Sequence, residues 1–167
     1  MATVISNLLK SLESERAATR KCVERIPESA YEFKPHPRSM VMGYLVYLVC
    51  DIPRWVSEMI KHDQIDLSNF KREQPVTTAA MVKFLDDNMA GAVEAFKQLR
   101  EDRLDLPFSL VTGPQLLSTM TRLESLTSTI SHWVHHRGQL TVYMRLNDIL
   151  VPSIYGPSAD DNTFKRT

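Results

Sequence analysis

The stretch HWVHHRGQLTVYMRLN (residues 132–147) decides the interpretation of this chain, because it combines a helical pattern with three histidines. His132 and His136 are four residues apart, and on an α-helix this spacing stacks two imidazoles on one face, with Cβ atoms about 5–6 Å apart. Two such rings can bind one divalent transition metal, as the paired histidines of zinc proteases do. We therefore interpret His132 and His136 as candidate metal ligands.

Four amphipathic segments extend outward from this stretch and predict four helices. Apolar residues recur at three- and four-residue steps in each of them, and the segments cover about residues 3–25, 39–61, 77–100 and 114–147. Ser39 is the expected N-cap of the second helix, and Pro114 suits the first turn of the fourth. Pro53 lies inside the second helix, where it predicts a kink.

The connections between these helices bear on the fold class. Residues 62–76 form a polar link of about fifteen residues, which is long for a helix–helix connection and predicts a crossover or a surface wrap. Residues 101–112 carry leucine and phenylalanine in period-two alternation, which fits either a short extended piece or a loop packed over the helices. Long helices with such links predict an all-α four-helix bundle, organised as a single domain over residues 1–167.

Composition excludes several classes of function. Lys+Arg and Asp+Glu balance at 20 each, so no basic excess indicates nucleic-acid binding. No stretch approaches about 20 consecutive apolar residues, which argues against a membrane span. The N-terminal residues lack the features of a secretory signal, so we expect a cytoplasmic location. Two cysteines, Cys22 and Cys50, do not suggest a disulfide in that compartment.

The stretch 132–147, together with VPSIYGPSAD at 151–160, resembles the last helix and tail of the DinB/YfiT-like family. Ser39-Met40, Gly43, Leu45 and Pro53-Arg-Trp55 are similar to that family's second helix, so the resemblance covers essentially the whole chain. It implies a four-helix bundle with a crossover between helices 2 and 3. It also implies a divalent metal, zinc or nickel, held by three histidines, and chemistry that uses a small thiol such as bacillithiol or mycothiol.

The chain departs from the family pattern at the third metal ligand. The family's second-helix histidine falls on Leu48, and leucine cannot bind a metal. Asp51, one turn further on, is either a replacement ligand or a retained neighbour of the lost one. Tyr44, one turn back, is a weaker candidate. The remaining alternative is that no protein side chain supplies a third ligand, which would leave the metal site weak or absent.

Residues around the histidines extend the candidate site. Ser125, Thr129, His132, His136 and Tyr143 share one helical stripe, which either lines space for a ligand or forms a small-residue helix contact. The resemblance implies that Arg137 holds the tail through Asp160. Gly138 would let backbone or tail approach the helix closely. Tyr155 either covers the site or packs against the protein.

The sequence leaves three functions open. The first is a metal-dependent thiol transferase or isomerase in which a small-molecule thiol reacts with an electrophile. The second is a non-catalytic relative that keeps the fold and binds a small molecule. The third is a dimeric stress-response protein, and we expect a homodimer in any of the three cases. No GxSxG motif, P-loop or dinucleotide fingerprint favours another enzyme class.

Overall fold

The computed structural model of this chain describes residues 3–69 and 76–162, and within them the fold is predominantly helical. The four predicted helices are present, and a small sheet lies beside them, so the prediction of an all-α class is wrong in that respect. The helices are α1 (Val4–Arg25), α2 (Met42–Lys61), α3 (Thr78–Gln98) and α4 (Arg122–Leu146). The strands are β1 (Gln64–Asp66), β2 (Pro107–Thr112) and β3 (Gln115–Thr121). Two single-turn 3₁₀ helices cover Glu28–Ala30 and Glu101–Arg103.

The three strands form one sheet in the order β1-β2-β3. Strand β1 pairs with β2 in parallel, and β2 pairs with β3 antiparallel. Thr112 pairs with Gln115 across a tight turn, where Gly113 adopts a φ of 54° that glycine reaches without strain. The extended alternative for the link at 101–112 is therefore confirmed over residues 107–112.

The predicted start of the last helix at Pro114 is wrong, because Pro114 belongs to the turn of the hairpin. The helix begins at Arg122, after the last residue of β3. Thr121 and Glu124 form a capping box there, in which the Thr121 side chain accepts from the Glu124 backbone and the Glu124 side chain accepts from the Thr121 backbone. This local signal fixes the true N-terminus of α4.

The predicted N-cap Ser39 is also wrong, since α2 begins at Met42 and no side chain caps it. The preceding chain supplies the missing acceptors instead. The amides of Met42 and Gly43 donate to the carbonyl oxygens of Phe33 and Tyr31, at 2.8 and 2.9 Å. Backbone carbonyls therefore satisfy donors that a side-chain cap would otherwise serve.

Contacts between helices set their relative directions. Tyr47 stacks on Phe84, the Asn88 side chain donates to the carbonyl of Cys50, and Gly91 lies near Ser57. In these pairs the residue numbers rise together along both helices, so α2 and α3 run parallel. Part of the connection between them, residues 70–75, lies outside the described residues.

Helices α2 and α4 run antiparallel, and three contacts fix their register. Thr129 donates to the sulfur of Met59, Trp133 donates to the carbonyl of Val49, and Tyr143 donates to the carbonyl of Met40. Residue numbers fall along one helix as they rise along the other. This register places the middle of α2 opposite the histidines of α4.

Both cysteines are buried free thiols in the core. In residues 3–69 and 76–162 we find no helix that combines the length and apolar character needed to cross a membrane.

Candidate metal centre

His132 and His136 lie one turn apart on α4, and their rings converge as the sequence predicts. The two Nε2 atoms are 2.5 Å apart, and the ring centroids are 4.4 Å apart with an angle of 54° between the planes. His136 is buried, whereas His132 is exposed at the edge of the helix. Two nitrogens that bind one zinc ion at about 2.0–2.1 Å each lie about 3.3 Å apart in tetrahedral geometry, so these rings point at a common place but would have to separate by less than about 1 Å to hold a metal.

Gln139 fixes which nitrogen of His136 is available. The side-chain oxygen of Gln139 lies 2.7 Å from Nδ1 of His136, so Nδ1 carries the proton and donates. In the neutral ring Nε2 then bears the lone pair that faces His132. Metal-binding histidines commonly donate their other ring N–H to an acceptor in this way, which sets the tautomer and orients the ring.

Both histidines are shifted toward the neutral form that can bind a metal. Partial desolvation on the side that faces the protein lowers the pKa of His132 below its usual value, and the charges of His136 and His135 lower it further. Burial also has the largest effect on the pKa of His136 and lowers it, although the hydrogen bond to Gln139 acts in the opposite direction. A neutral imidazole keeps its lone pair, so the donor chemistry of this pair fits zinc or nickel.

No third ligand accompanies the pair in the part of the chain that the structure describes. Within it, no three His, Cys, Asp or Glu side chains group closely enough to hold a metal ion together. The register of α2 against α4 pairs Val49 with Trp133, so Leu48 lies within about one helical turn of both His132 and His136 along the axis. Leu48 is partly buried and packs against the core. The resemblance expects the third ligand at this position, and leucine cannot supply one.

Asp51, the candidate replacement ligand, has its carboxylate engaged elsewhere. It is buried and accepts two hydrogen bonds from Arg54, at 2.7 and 3.1 Å. The indole Nε1 of Trp55 donates to the same carboxylate at 3.0 Å. Tyr44 lines a separate cavity of about 400 Å³. The structure therefore brings His132 and His136 together without bringing either α2 candidate into their cluster.

A cleft of about 280 Å³ opens beside His132, between α2, α4 and the β2–β3 hairpin. Part of the predicted small-residue stripe lines it, so this stripe faces open space and not only a neighbouring helix. Tyr143 of the same stripe does not, since it packs on Phe33 and bonds to Met40. The lining residues are Ile52, Trp55, Met59, Phe108, Leu110, Ser118, Met120, Ser125, Ser128, Thr129 and His132.

The predicted link between Arg137 and Asp160 is wrong. Arg137 is buried and forms an ion pair with Glu15 of α1, at 2.6 Å. Asp160 instead pairs with Arg145, at 2.6 Å. Arg145 lies near the C-terminal end of α4, closer to the returning tail, whereas Arg137 points into the contact between α1 and α4.

The sequence also predicts roles for two neighbours of Arg137, Tyr155 and Gly138. The hydroxyl of Tyr155 accepts from Arg137 and donates to Glu15, at 2.8 and 2.9 Å, while most of its ring is exposed. Tyr155 does not line the cleft beside His132. Gly138 has no heavy atom within 4 Å of the place where a Cβ would be, so the predicted close approach to it is wrong.

Sequence reasoning missed three contributors to the site. Gln139 follows His136 by three residues, a helical spacing at which side chains meet, and that spacing was an available signal. Glu15 is separated from Arg137 by 122 residues, and no local pattern connects them. The wall of the cleft formed by β3 depends on a hairpin that the sequence did not predict.

Comparison with known proteins places this arrangement in a family. The DinB family profile matches residues 1–166. The uncharacterized protein YrdA of Bacillus subtilis is 24% identical over 170 residues, covering 96% of this chain and 93% of YrdA. The uncharacterized protein YjoA of the same organism is 27% identical over 132 residues, covering 79% of this chain and 83% of YjoA.

Two solved structures share the fold. A crystal structure of the DinB-like protein YjoA from Bacillus subtilis superposes with a TM-score of 0.71 at 22% identity, covering 93% of this chain and 99% of that one. A DinB-like protein from Bacillus cereus gives a TM-score of 0.72 at 19% identity, covering 93% of this chain and 100% of that one. With the family profile spanning nearly every residue, the chain belongs to the DinB family.

Proposed function

We propose that this DinB protein holds a divalent metal, zinc or nickel, through His132 and His136, and acts as a metal-dependent thiol transferase. The observation that carries the proposal is the convergence of the two Nε2 atoms on a common place at the edge of an open cleft. A metal bound there would have open coordination positions next to space for a small molecule. Catalytic metal sites are characterised by such open positions.

The protein contributes to the mechanism by orienting the two histidines. Gln139 holds His136 in the tautomer that presents Nε2, and His132 lies at the boundary between its partner and the cleft. A bound divalent metal would supply Lewis acidity, which lowers the pKa of a coordinated thiol and increases its thiolate fraction. The apolar residues of the cleft exclude water from the electrophile and position it near that thiol.

The reacting thiol has to come from a separate molecule. Burial raises the pKa of the Cys22 thiol to about 11, and it also raises the pKa of Cys50, where the nearby charge of Asp51 adds to the effect. Neither cysteine lines the cleft. A small-molecule thiol is therefore the proposed co-substrate, and an electrophile in the cleft is its proposed partner.

A second candidate is a non-catalytic DinB protein that binds a small molecule in the same cleft. Leucine at position 48, where the family resemblance expects a histidine, favours it, because two histidines alone give a weak metal site. The engagement of Asp51 by Arg54 and Trp55 favours it as well. In either case we propose that the four helices form a four-helix bundle with a crossover between α2 and α3, and that the protein is a homodimer.

The experiment compares metal-loaded protein, purified without a histidine tag, with two variants. Bacillithiol or cysteine is mixed with 1-chloro-2,4-dinitrobenzene, and thioether formation is followed by absorbance. The thiol sulfur forms a bond to the ring carbon, the carbon–chlorine bond breaks, chloride leaves with the bonding electrons, and the thiol proton goes to solvent. We expect His136→Gln to lose the protein-dependent rate, while His135→Gln keeps it within about twofold.

His135 is a matched control, because it is the exposed neighbour of His136 and its ring lies 5.1 Å away without taking part in the pair. Equal rates for both variants, or no rate above that of the uncatalysed mixture, would overturn the transferase proposal. Absence of turnover together with saturable ligand binding would support the second candidate.

A further inference from the structure

The cleft beside His132 has a lining that discriminates between classes of ligand. Among the residues that the structure describes, no Lys, Arg, Asp or Glu side chain lines it. Six apolar side chains and four hydroxyl-bearing ones surround the space instead. We infer that the cleft binds an uncharged aromatic molecule. This ligand class rests on the proposed function only in naming the electrophile, because binding in the cleft itself requires no metal.

The walls of the cleft suit a flat ring. Ile52 and Met59 of α2 are buried on one side, and Phe108 of β2 is buried on the other. Trp55 of α2 adds an indole to the lining. Aromatic side chains stack on, or pack edge-to-face against, a second ring at a modest gain beyond simple burial of area. A planar ligand therefore contacts more of this lining than a branched aliphatic one of equal volume.

Asp51 holds the indole of Trp55 in place, although it does not line the cleft itself. The buried carboxylate accepts from Nε1 of Trp55 at 3.0 Å and from Arg54 at 2.7 Å. The negative charge of Asp51 is therefore balanced by Arg54. In consequence the ligand meets the fixed face of Trp55 and not an uncompensated carboxylate.

The hydroxyl groups favour a ligand that carries an N–H or O–H donor. Ser125 donates its proton to the carbonyl oxygen of Thr121, at 3.0 Å, and Thr129 donates to the sulfur of Met59, at 3.3 Å. With their protons committed, these hydroxyls can only accept further hydrogen bonds. A phenol or an aromatic amine can donate to them, whereas a ligand carboxylate or sulfonate receives no proton from these two hydroxyls.

A charged ligand would be disfavoured on entry. Moving an ionised group out of water without a counter-ion is unfavourable. No Lys or Arg side chain lies in the described lining to balance the charge of an anion, and no Asp or Glu side chain lies there to balance that of a cation. The lining therefore disfavours charged ligands, whatever their shape.

Two probes that share one aromatic scaffold test this inference. N-phenyl-1-naphthylamine is uncharged, and 1-anilinonaphthalene-8-sulfonate adds one sulfonate to it. Each is titrated into metal-free protein in EDTA, and its emission is recorded. We expect the uncharged probe to saturate at one equivalent and to bind at least about tenfold more tightly than the sulfonate. Equal or tighter binding of the sulfonate would overturn the inference.

Variants locate the binding to the cleft. Ser128 lines it from an exposed position on α4, and Ser131 lies one turn further on the same helix without lining it. Ser128→Phe should weaken binding of the uncharged probe at least about tenfold. Ser131→Phe, the matched control, should leave it within twofold. Met120→Glu, at an exposed lining position, should weaken it as well.

The outcome separates this inference from the proposed function. A nickel titration of the same proteins after the EDTA has been removed reports on the histidine pair, and the probe reports on the cleft. Probe binding without nickel binding supports the ligand class and overturns the metal. Nickel binding with a probe signal unaffected by Ser128→Phe overturns the ligand class alone. Loss of the probe signal as a dimer forms would identify a second copy as the occupant and would also overturn it.

Discussion

The indole Nε1 of Trp133 donates to the carbonyl oxygen of Val49 at 2.7 Å, and this bond joins α4 to α2 at the level of the histidine pair. Pro53 makes it possible. Proline has no backbone N–H, so it cannot use the carbonyl of the residue four positions earlier, which is Val49. The carbonyl left unused inside α2 is satisfied by a side chain from α4, and the register that results sets Leu48 within about one helical turn of both histidines along the axis.

This register predicts that Leu48→His creates a third ligand. Four-ligand structural zinc sites total about 10–16 kcal/mol, so one additional ligand contributes about 3 kcal/mol and raises nickel or zinc affinity by about 100-fold. Competition against a chelator of known affinity measures it. Leu48→Gln is the matched polar control and should leave the affinity unchanged. If both variants bind metal alike, Leu48 does not face the pair.

The histidine pair predicts how stability depends on pH in metal-free protein. Both pKa values are lowered in the folded state, mainly by burial. Below the usual value of about 6.5, the unfolded chain therefore binds more protons than the folded one, and the free energy of unfolding falls as the pH falls. The loss stops once the pH is below the folded-state values.

Urea denaturation between pH 8 and about pH 5 measures this dependence, above the range in which most carboxylates titrate. The double variant His132→Gln with His136→Gln should show a smaller loss of stability across that range than the unaltered protein. A steeper loss in the double variant would contradict the lowered pKa values.

The buried pair of Arg137 and Glu15 predicts a large loss of stability when it is broken. Arg137→Met leaves the Glu15 carboxylate largely buried without its cation, at a cost of about 3–5 kcal/mol. Arg16 lies on the same helix α1 and forms a more exposed pair with Asp86 of α3. Arg16→Met should therefore cost less than about 1 kcal/mol. Guanidinium denaturation compares the two variants. Similar losses for both would contradict the structural role of Arg137.

Two glycines predict effects of opposite sign. A Cβ at Gly43 would lie 2.9 Å from Cβ of Tyr31, so Gly43→Ala forces the segment around Tyr31 away from α2 and costs about 1–3 kcal/mol. A Cβ at Gly138 meets nothing within 4 Å, and Gly138→Ala should stabilise α4 by about 0.5–1 kcal/mol. Thermal unfolding distinguishes them. A stabilised Gly43→Ala would show that Tyr31 does not lie against α2.

Local patterns account for the parts of this molecule that the sequence predicts well. The i, i+4 spacing of His132 and His136 and the periodicity of the four helices are properties of short segments, and packing preserved them. Residues 115–121 carry no such local pattern, because β3 exists only through its pairing with β2. An edge strand next to a helix start carries little periodicity of its own, so the sequence pattern predicts the start of that helix at Pro114 instead.

Long-range contacts account for most of the remaining error. Arg137 forms its ion pair with Glu15 of α1, and Asp160 of the tail pairs with Arg145. Which carboxylate meets which guanidinium depends on how the helices pack, and sequence spacing does not report it. The orientation of His136 by Gln139 is the opposite case, since its three-residue spacing made it visible in principle.

Equilibrium dialysis of untagged protein against nickel tests the central claim most directly. The account predicts about one equivalent bound at saturation, its loss in both His132→Gln and His136→Gln, and its retention in His135→Gln. Less than about a tenth of an equivalent in the unaltered protein, or equal binding by all three variants, would contradict a metal held between His132 and His136.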